Sequence, residues 1–120
     1  SKVIVTGSLS RSRDFIYIDD IINAFTSRNI LDSKVGHVFN LGSGKEVKVS
    51  ALLKILFIQT NKKYSVLIGD KHSGDTNNSY ANITLIKKTG WKNKISLKQG
   101  IKKVTRDLKF FDENNSSFNR

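Results

Sequence analysis

A chain of 120 residues with 38% hydrophobic content has room for one modest core, and no apolar run in it reaches the length that a membrane-spanning helix needs. Cysteine is absent and the only histidines, His37 and His72, share no carboxylate cluster, which excludes disulfides and thiolate metal sites and leaves no ligand set for metal catalysis. The formal charge of +11 invites polyanion binding, yet lysine outnumbers arginine 16 to 5 and no arginine cluster alternates with aromatics, so a solvated basic surface is the better reading.

Methionine is absent even at position 1, and Ser1 stands almost directly before the apolar run Val3, Ile4, Val5. This predicts a piece of a longer protein, with nothing in it that addresses the chain outside the cytoplasm. Val3 to Thr6 predicts a short strand, ended by Gly7 and the polar loop Ser8 to Ser12. Arg13-Asp14 then leads into Phe15 to Ile18, an aromatic and β-branched run that suits a buried strand. Asp19 and Asp20 are placed to accept the free amides of a following helix, predicted from about Asp20 to Arg28 with a loop from Ile30 to Gly36.

His37 to Leu41 reads as a second buried strand closed by Gly42-Ser43-Gly44. Ser50 is a candidate cap for a helix over Ala51 to Gln59, whose apolar residues cover more than one face and predict burial on two sides. A strand from Tyr64 to Ile68 precedes the long polar stretch Gly69 to Ser79. A short helix over Thr84 to Thr89 is stopped by Gly90, and Trp91 is the expected core anchor beside it. Ser96 with Gln99 forms a capping box for a last helix that repeats Leu97, Ile101, Val104, Leu108 and Phe111 at helical spacing. Its opposite face, Lys98, Lys102, Arg106 and Lys109, reads as solvated. The domain spans residues 1–112, and residues 113–120 form a polar tail expected to be disordered.

Reactive motifs do not assemble. Gly42-Ser43-Gly44-Lys45 resembles the end of a phosphate-binding loop, but that loop needs a glycine where Phe39 stands and a hydroxyl residue where Glu46 stands. No strand runs into a Gly-x-Gly-x-x-Gly fingerprint, no serine sits on a nucleophile elbow, and none of Tyr17, Tyr64 and Tyr80 is followed four residues later by lysine. The chain therefore holds no catalytic centre of its own. Arg13, at the mouth of the Asp19-Asp20 turn, offers a fork of donors that matches two phosphate oxygens, although spacing alone equally fits a structural ion pair with an aspartate.

The order of segments carries more information. Arg13 to Asp20, then Val38 to Gly44, Gly74-Asp75, Ser79-Tyr80-Ala81-Asn82, Gly90-Trp91-Lys92 and Ile95-Ser96-Leu97 to Gly100-Ile101 resembles the carboxy-terminal portion of the extended short-chain dehydrogenase/reductases. Within them it is most similar to the NAD-dependent sugar-nucleotide epimerase/dehydratase family of the UDP-glucose 4-epimerase type, over residues 3–111. The resemblance implies an α/β fold of mixed short strands and helices, the substrate-binding portion of a Rossmann-type enzyme. The amino-terminal Rossmann domain, with its bound NAD, glycine fingerprint and Tyr-x-x-x-Lys pair, is missing from these residues.

The family likeness assigns roles by position. Arg13 matches a diphosphate-binding arginine, Phe15 an aromatic position beside the nucleotide, Val49 a small apolar contact to base or ribose, and Asp75 a carboxylate that takes ribose hydroxyls. His72 stands where the family has an arginine, so one charged phosphate contact is weakened or passes to Lys71, a change of about 1 to 2 kcal/mol in binding. Asn82 replaces a common aspartate and Asn93 a common proline. The expected function is nucleotide-sugar binding, with a UDP-sugar as the favoured substrate and no activity in isolation. The expected partners are the nucleotide sugar, the Rossmann domain and a second copy in a homo-oligomer, with no membrane and no nucleic acid; no cofactor is expected on the isolated portion. The competing reading is a small basic module for nucleic acid or another polyanion.

Overall fold

The computed structural model describes residues 2–33, 38–61, 65–70 and 76–115, with α/β architecture throughout. Strand β1 (Lys2–Thr6) lies parallel to β4 (Ser65–Gly69), with Val3 opposite Val66, Ile4 opposite Leu67 and Val5 opposite Ile68. Gly7 extends the ladder through its amide to the Gly69 carbonyl at 3.3 Å. Parallel sheets are stable when both faces are covered. Here the paired Ile4 and Leu67 are both exposed, as is Ile68.

The second sheet is a two-residue ribbon, β2 (Ser12–Arg13) antiparallel to β3 (Val47–Lys48), with Ser12 opposite Lys48 and Arg13 opposite Val47. The strand expected over Phe15 to Ile18 does not form, and helix α1 (Ile18–Phe25) begins inside that run. Strand propensity expresses itself only where a neighbouring strand supplies partners, and β3 begins at Val47, opposite Arg13, so the ladder reaches no further. The same reason applies to Val38 to Leu41, which is irregular: no strand lies beside it among the described residues, and Phe39 and Leu41 pack onto the core as loop residues. His37 lies outside the described residues.

The expected helix from Asp20 to Arg28 is two helices, α1 and the single turn α2 (Arg28–Leu31), divided where Thr26 turns its hydroxyl back onto the Ile22 carbonyl at 2.9 Å. Asp19 and Asp20 do not cap α1. Asp20, only 1% exposed, instead accepts the amides of Lys94 and Ile95 at 2.9 and 3.0 Å, while Asp19 pairs with Lys103 at 2.8 Å. Backbone donors brought in by tertiary packing win over the local first turn, because a buried amide without a partner is costly.

Helix α3 (Val49–Thr60) starts before its expected cap. Ser50 makes no side-chain cap; the first amides go to the Ser8–Arg11 turn, Val49 to the Arg11 carbonyl at 2.9 Å and Ser50 to the Leu9 carbonyl at 3.1 Å. Only one α3 side chain, Leu53, is fully buried and Ile58 is exposed, so burial on two sides is not met by the described residues. Helix α4 (Thr84–Lys87) ends in a turn at Gly90, whose φ of +85° suits a residue without a Cβ. Trp91 anchors the core as expected, together with Ala24, Ile83 and Ile86.

The Ser96-Gln99 capping box closes as read, the Ser96 amide donating to the Gln99 carboxamide at 2.9 Å and the Gln99 amide to the Ser96 hydroxyl at 3.4 Å. Helix α5 (Leu97–Asn115) continues three residues past the expected domain limit at Asp112, and residues 116–120 lie outside the description. Lys98, Lys102 and Arg106 are exposed; the side chains of Lys109 and Phe111 are outside the described set. Tyr17 joins α1 to α5: its ring packs against Gly100, where a Cβ would come within 3.0 Å, and lies 5.1 Å from the Lys103 ammonium.

Removing the buried carboxylate with Asp20→Ala leaves two part-buried amides without their acceptor and is expected to lower the unfolding free energy by about 2 kcal/mol in urea titrations. Ile18, Ile22 and Phe25 recur on the outer side of α1, and with Leu31 and Val38 they leave apolar surface uncovered. The chain on its own is expected to self-associate, seen as a mass in light scattering that grows with concentration.

Candidate functional site

Asp14 is the fixed point around which the candidate residues are arranged. Its carboxylate accepts the Ser43 amide at 2.7 Å and the Ser43 hydroxyl at 2.6 Å on one oxygen, and the Gly44 and Ala81 amides at 2.9 and 3.1 Å on the other. Gly42 has no room for a side chain: a Cβ would sit 2.5 Å from Asp14 Oδ2 and 2.6 Å from the Ala81 methyl. Gly44 holds a φ of +68°. Partial burial pushes the Asp14 carboxyl up, but the donated hydrogen bonds from Ser43, Ala81 and Gly44 together outweigh it and hold the group below the ordinary carboxylate value.

The Gly42-Ser43-Gly44 turn thus does gather amides around an anion, and the anion is the protein's own. Sequence reasoning rejected this turn as a phosphate loop and did not connect it to Asp14, although a glycine turn and an aspartate beside a candidate ligand were both visible. Among the described residues the amides that converge there are taken by Asp14, and none forms a cradle for a dinucleotide pyrophosphate. The described residues also contain no group of three potential metal ligands and no helix long and apolar enough to cross a membrane.

Arg13 lies on β2 directly before this carboxylate, half-buried, and donates to the Ser12 carbonyl at 2.7 Å and the Asn77 carbonyl at 3.4 Å. Residues 77 and 78 run along the edge of β2: the Ser12 amide donates to the Asn77 carbonyl at 3.0 Å, and the Ser12 hydroxyl to Asn78 Oδ1 at 3.0 Å and to the Glu46 carboxylate. The stretch just after Gly74-Asp75 is therefore laid against Arg13. Lys71, His72 and Asp75 themselves lie outside the described residues.

Val49 joins the same ribbon through its bond to the Arg11 carbonyl, two residues along from the Arg13–Val47 pair. Phe15 does not join them. It lines an apolar groove of about 250 Å³ with Leu52, Leu56, Leu97, Ile101 and Leu108, between α3 and α5. The feature that the sequence did not reveal is Arg11, which is 8% exposed and lines a polar cavity of about 440 Å³ with Lys48, Glu46, Ser12, Asn77 and Asn78. Its only trace in the sequence is the repeat Ser10-Arg11-Ser12-Arg13.

The fold matches that of short-chain dehydrogenase/reductase-type epimerases. The UDP-glucose 4-epimerase of Thermotoga maritima, crystallised with UDP-glucose, superposes with a TM-score of 0.73 at 32% identity, over 84% of this chain and 32% of that one. In sequence the chain is 33% identical over 101 residues to the UDP-glucose 4-epimerase of Drosophila melanogaster, covering 79% of this chain and 27% of that protein. It is 28% identical over 108 residues to the dTDP-4-dehydro-6-deoxyglucose reductase of Escherichia coli, covering 88% and 33%. No family model matches the chain. Its homologues and structural neighbours are UDP-glucose 4-epimerase and related NAD-dependent sugar epimerases and dehydratases of the extended short-chain dehydrogenase/reductase type, and it corresponds to their carboxy-terminal portion. The chain spans about a third of the length of the relatives it matches.

Asp14→Asn is expected to lower stability at pH 7 by on the order of 2 kcal/mol, since its amide nitrogen meets backbone donors instead of accepting them. With a folded pKa below the unfolded value of about 3.9, the carboxylate's contribution is complete above that value and is lost as pH falls through the lower folded value. Thermal melts from pH 7 to pH 2 should show a shallower acid limb in Asp14→Asn than in the unaltered chain.

Proposed function

We propose that the chain is the nucleotide-sugar-binding portion of an NAD-dependent sugar-nucleotide epimerase or dehydratase, with a UDP-sugar as the favoured substrate. The observation that carries this reading is Arg13 held on a ribbon between Val47 and the Asn77–Asn78 segment, with Asp14 fixing its other neighbour. A guanidinium in such a frame presents paired donors to a diphosphate at little entropic cost. Val49 beside it supplies the apolar contact for base or ribose, and Asp75, a few residues before Asn77, supplies a carboxylate for ribose hydroxyls.

These residues bind and orient; none of them moves a hydride or a proton on the sugar. NAD, which supplies hydride transfer when bound, finds no cradle among the described residues and belongs with the remaining two thirds of the parent protein. Isolated, the chain is inactive. The parent is a cytoplasmic enzyme and a homo-oligomer.

A basic polyanion-binding module is the competing reading, supported by Lys94, Lys102, Lys103 and Arg106 around an open basin at α5. Calorimetry separates the two. UDP and dTDP are expected to bind, and Arg13→Ala to weaken UDP by about tenfold, the loss of one charge-assisted pair. Unchanged UDP affinity in Arg13→Ala removes the phosphate role, and salt-dependent binding to random duplex DNA without any response to UDP favours the polyanion module.

A further inference from the structure

Helix α5 carries a seam of apolar side chains that its own chain only half covers. Leu97, Ile101, Val104 and Leu108 follow one another in steps of four, three and four residues, the spacing that keeps a stripe turned toward a neighbouring helix over several turns. With Leu52 and Leu56 of α3 they line a groove of about 250 Å³ that has no charged residue in its walls. Val104 and Leu108 stay 47% and 58% exposed there. At Ile95 and Thr105, which line both, the groove meets a basin of about 500 Å³ that is lined by Lys94, Lys102, Lys103 and Arg106 and by no carboxylate. Lys103 is bonded to Asp19 and Arg106 to Asp107, while no ion pair among the described residues engages Lys94 or Lys102.

We propose that groove and basin together form a docking site for an amphipathic helix of an acidic protein partner, its apolar stripe laid between α3 and α5 and its carboxylates against Lys94 and Lys102. Charge decides between the occupants. A second copy of this chain, at +11 and with the same lysines on α5, brings cation against cation. Nucleic acid satisfies the basin through its phosphates and leaves the apolar groove unfilled. A helix with leucine or isoleucine at the same steps and glutamate on its flanks fills the groove and neutralises the basin at once. None of these residues lies on the β2–β3 ribbon, so the docking site stands apart from the nucleotide reading.

Fluorescence anisotropy of a labelled synthetic peptide of about 18 residues, with leucine at heptad-spaced positions and glutamate beside them, tests this on the full chain. The peptide is expected to bind, and its affinity to fall about tenfold in Leu108→Ser and about threefold in Lys102→Gln. Val104→Ser reads the same groove if Leu108→Ser does not fold, and Phe25→Ser, on the outer side of α1, should leave binding unchanged. A control peptide with serine in place of every leucine should bind at least about tenfold more weakly. Equal binding of the two peptides, or tighter binding of random duplex DNA that Leu108→Ser leaves unchanged, overturns the proposal in favour of a general polyanion surface. Peptide binding lost in Phe25→Ser but kept in Leu108→Ser, or no binding by the unaltered chain, overturns it too. A mass in light scattering that Leu108→Ser lowers and Phe25→Ser does not gives the groove to a second copy and equally overturns the acidic partner.

Discussion

One carboxylate holds the site together. Asp14 takes four hydrogen bonds from segments 29, 30 and 67 residues away in sequence, and it does so between Arg13 and Phe15. A partly buried carboxylate satisfied by backbone amides is worth more than one paired with a flexible lysine, because the amides are already fixed and lose little entropy on bonding. The cost of changing this point is therefore spread over the Gly42 turn, Ala81 and the ribbon together. Gly42 shows how closely the parts fit: the space of a single methyl group is already filled by Asp14 and Ala81.

Asp20 repeats the device on the other side of α1, binding the two amides that precede the α5 capping box. A chain with 21 basic and only 10 acidic residues thus places two of its carboxylates on backbone amides. Those amides neutralise the aspartates without consuming a cation. Asp19 pairs with a side chain instead, and its bond raises the affinity of Lys103 for its proton.

Features set by a few neighbouring residues were legible in the sequence. The Ser96-Gln99 box, the Gly90 stop and the burial of Trp91 need only local geometry or a single large side chain, and each stands as read. Phe15 to Ile18 and Val38 to Leu41 were misread as strands because a strand is a property of a pair, and one sequence does not show whether the partner is present. Asp19 and Asp20 were read as caps because the helix they precede is adjacent in sequence, whereas Lys94 and Ile95 are 74 and 75 residues from Asp20. The order of motifs points to Arg13 and Val49 as candidate ligands and leaves out Asp14 and Arg11, whose contacts come from residues distant in sequence. The outer side of α1 and the faces of β1 and β4 likewise carry apolar residues, Ile22, Phe25, Ile4 and Leu67 among them, that stand exposed.

Amide hydrogen exchange measured with and without UDP tests the central claim most directly. Slowed exchange in peptides covering residues 11–13, 47–50 and 76–78, the ribbon and the segment along its edge, is the predicted result. Slowed exchange confined to the basic side of α5, or none anywhere at a saturating concentration of UDP, contradicts a nucleotide site built on Arg13.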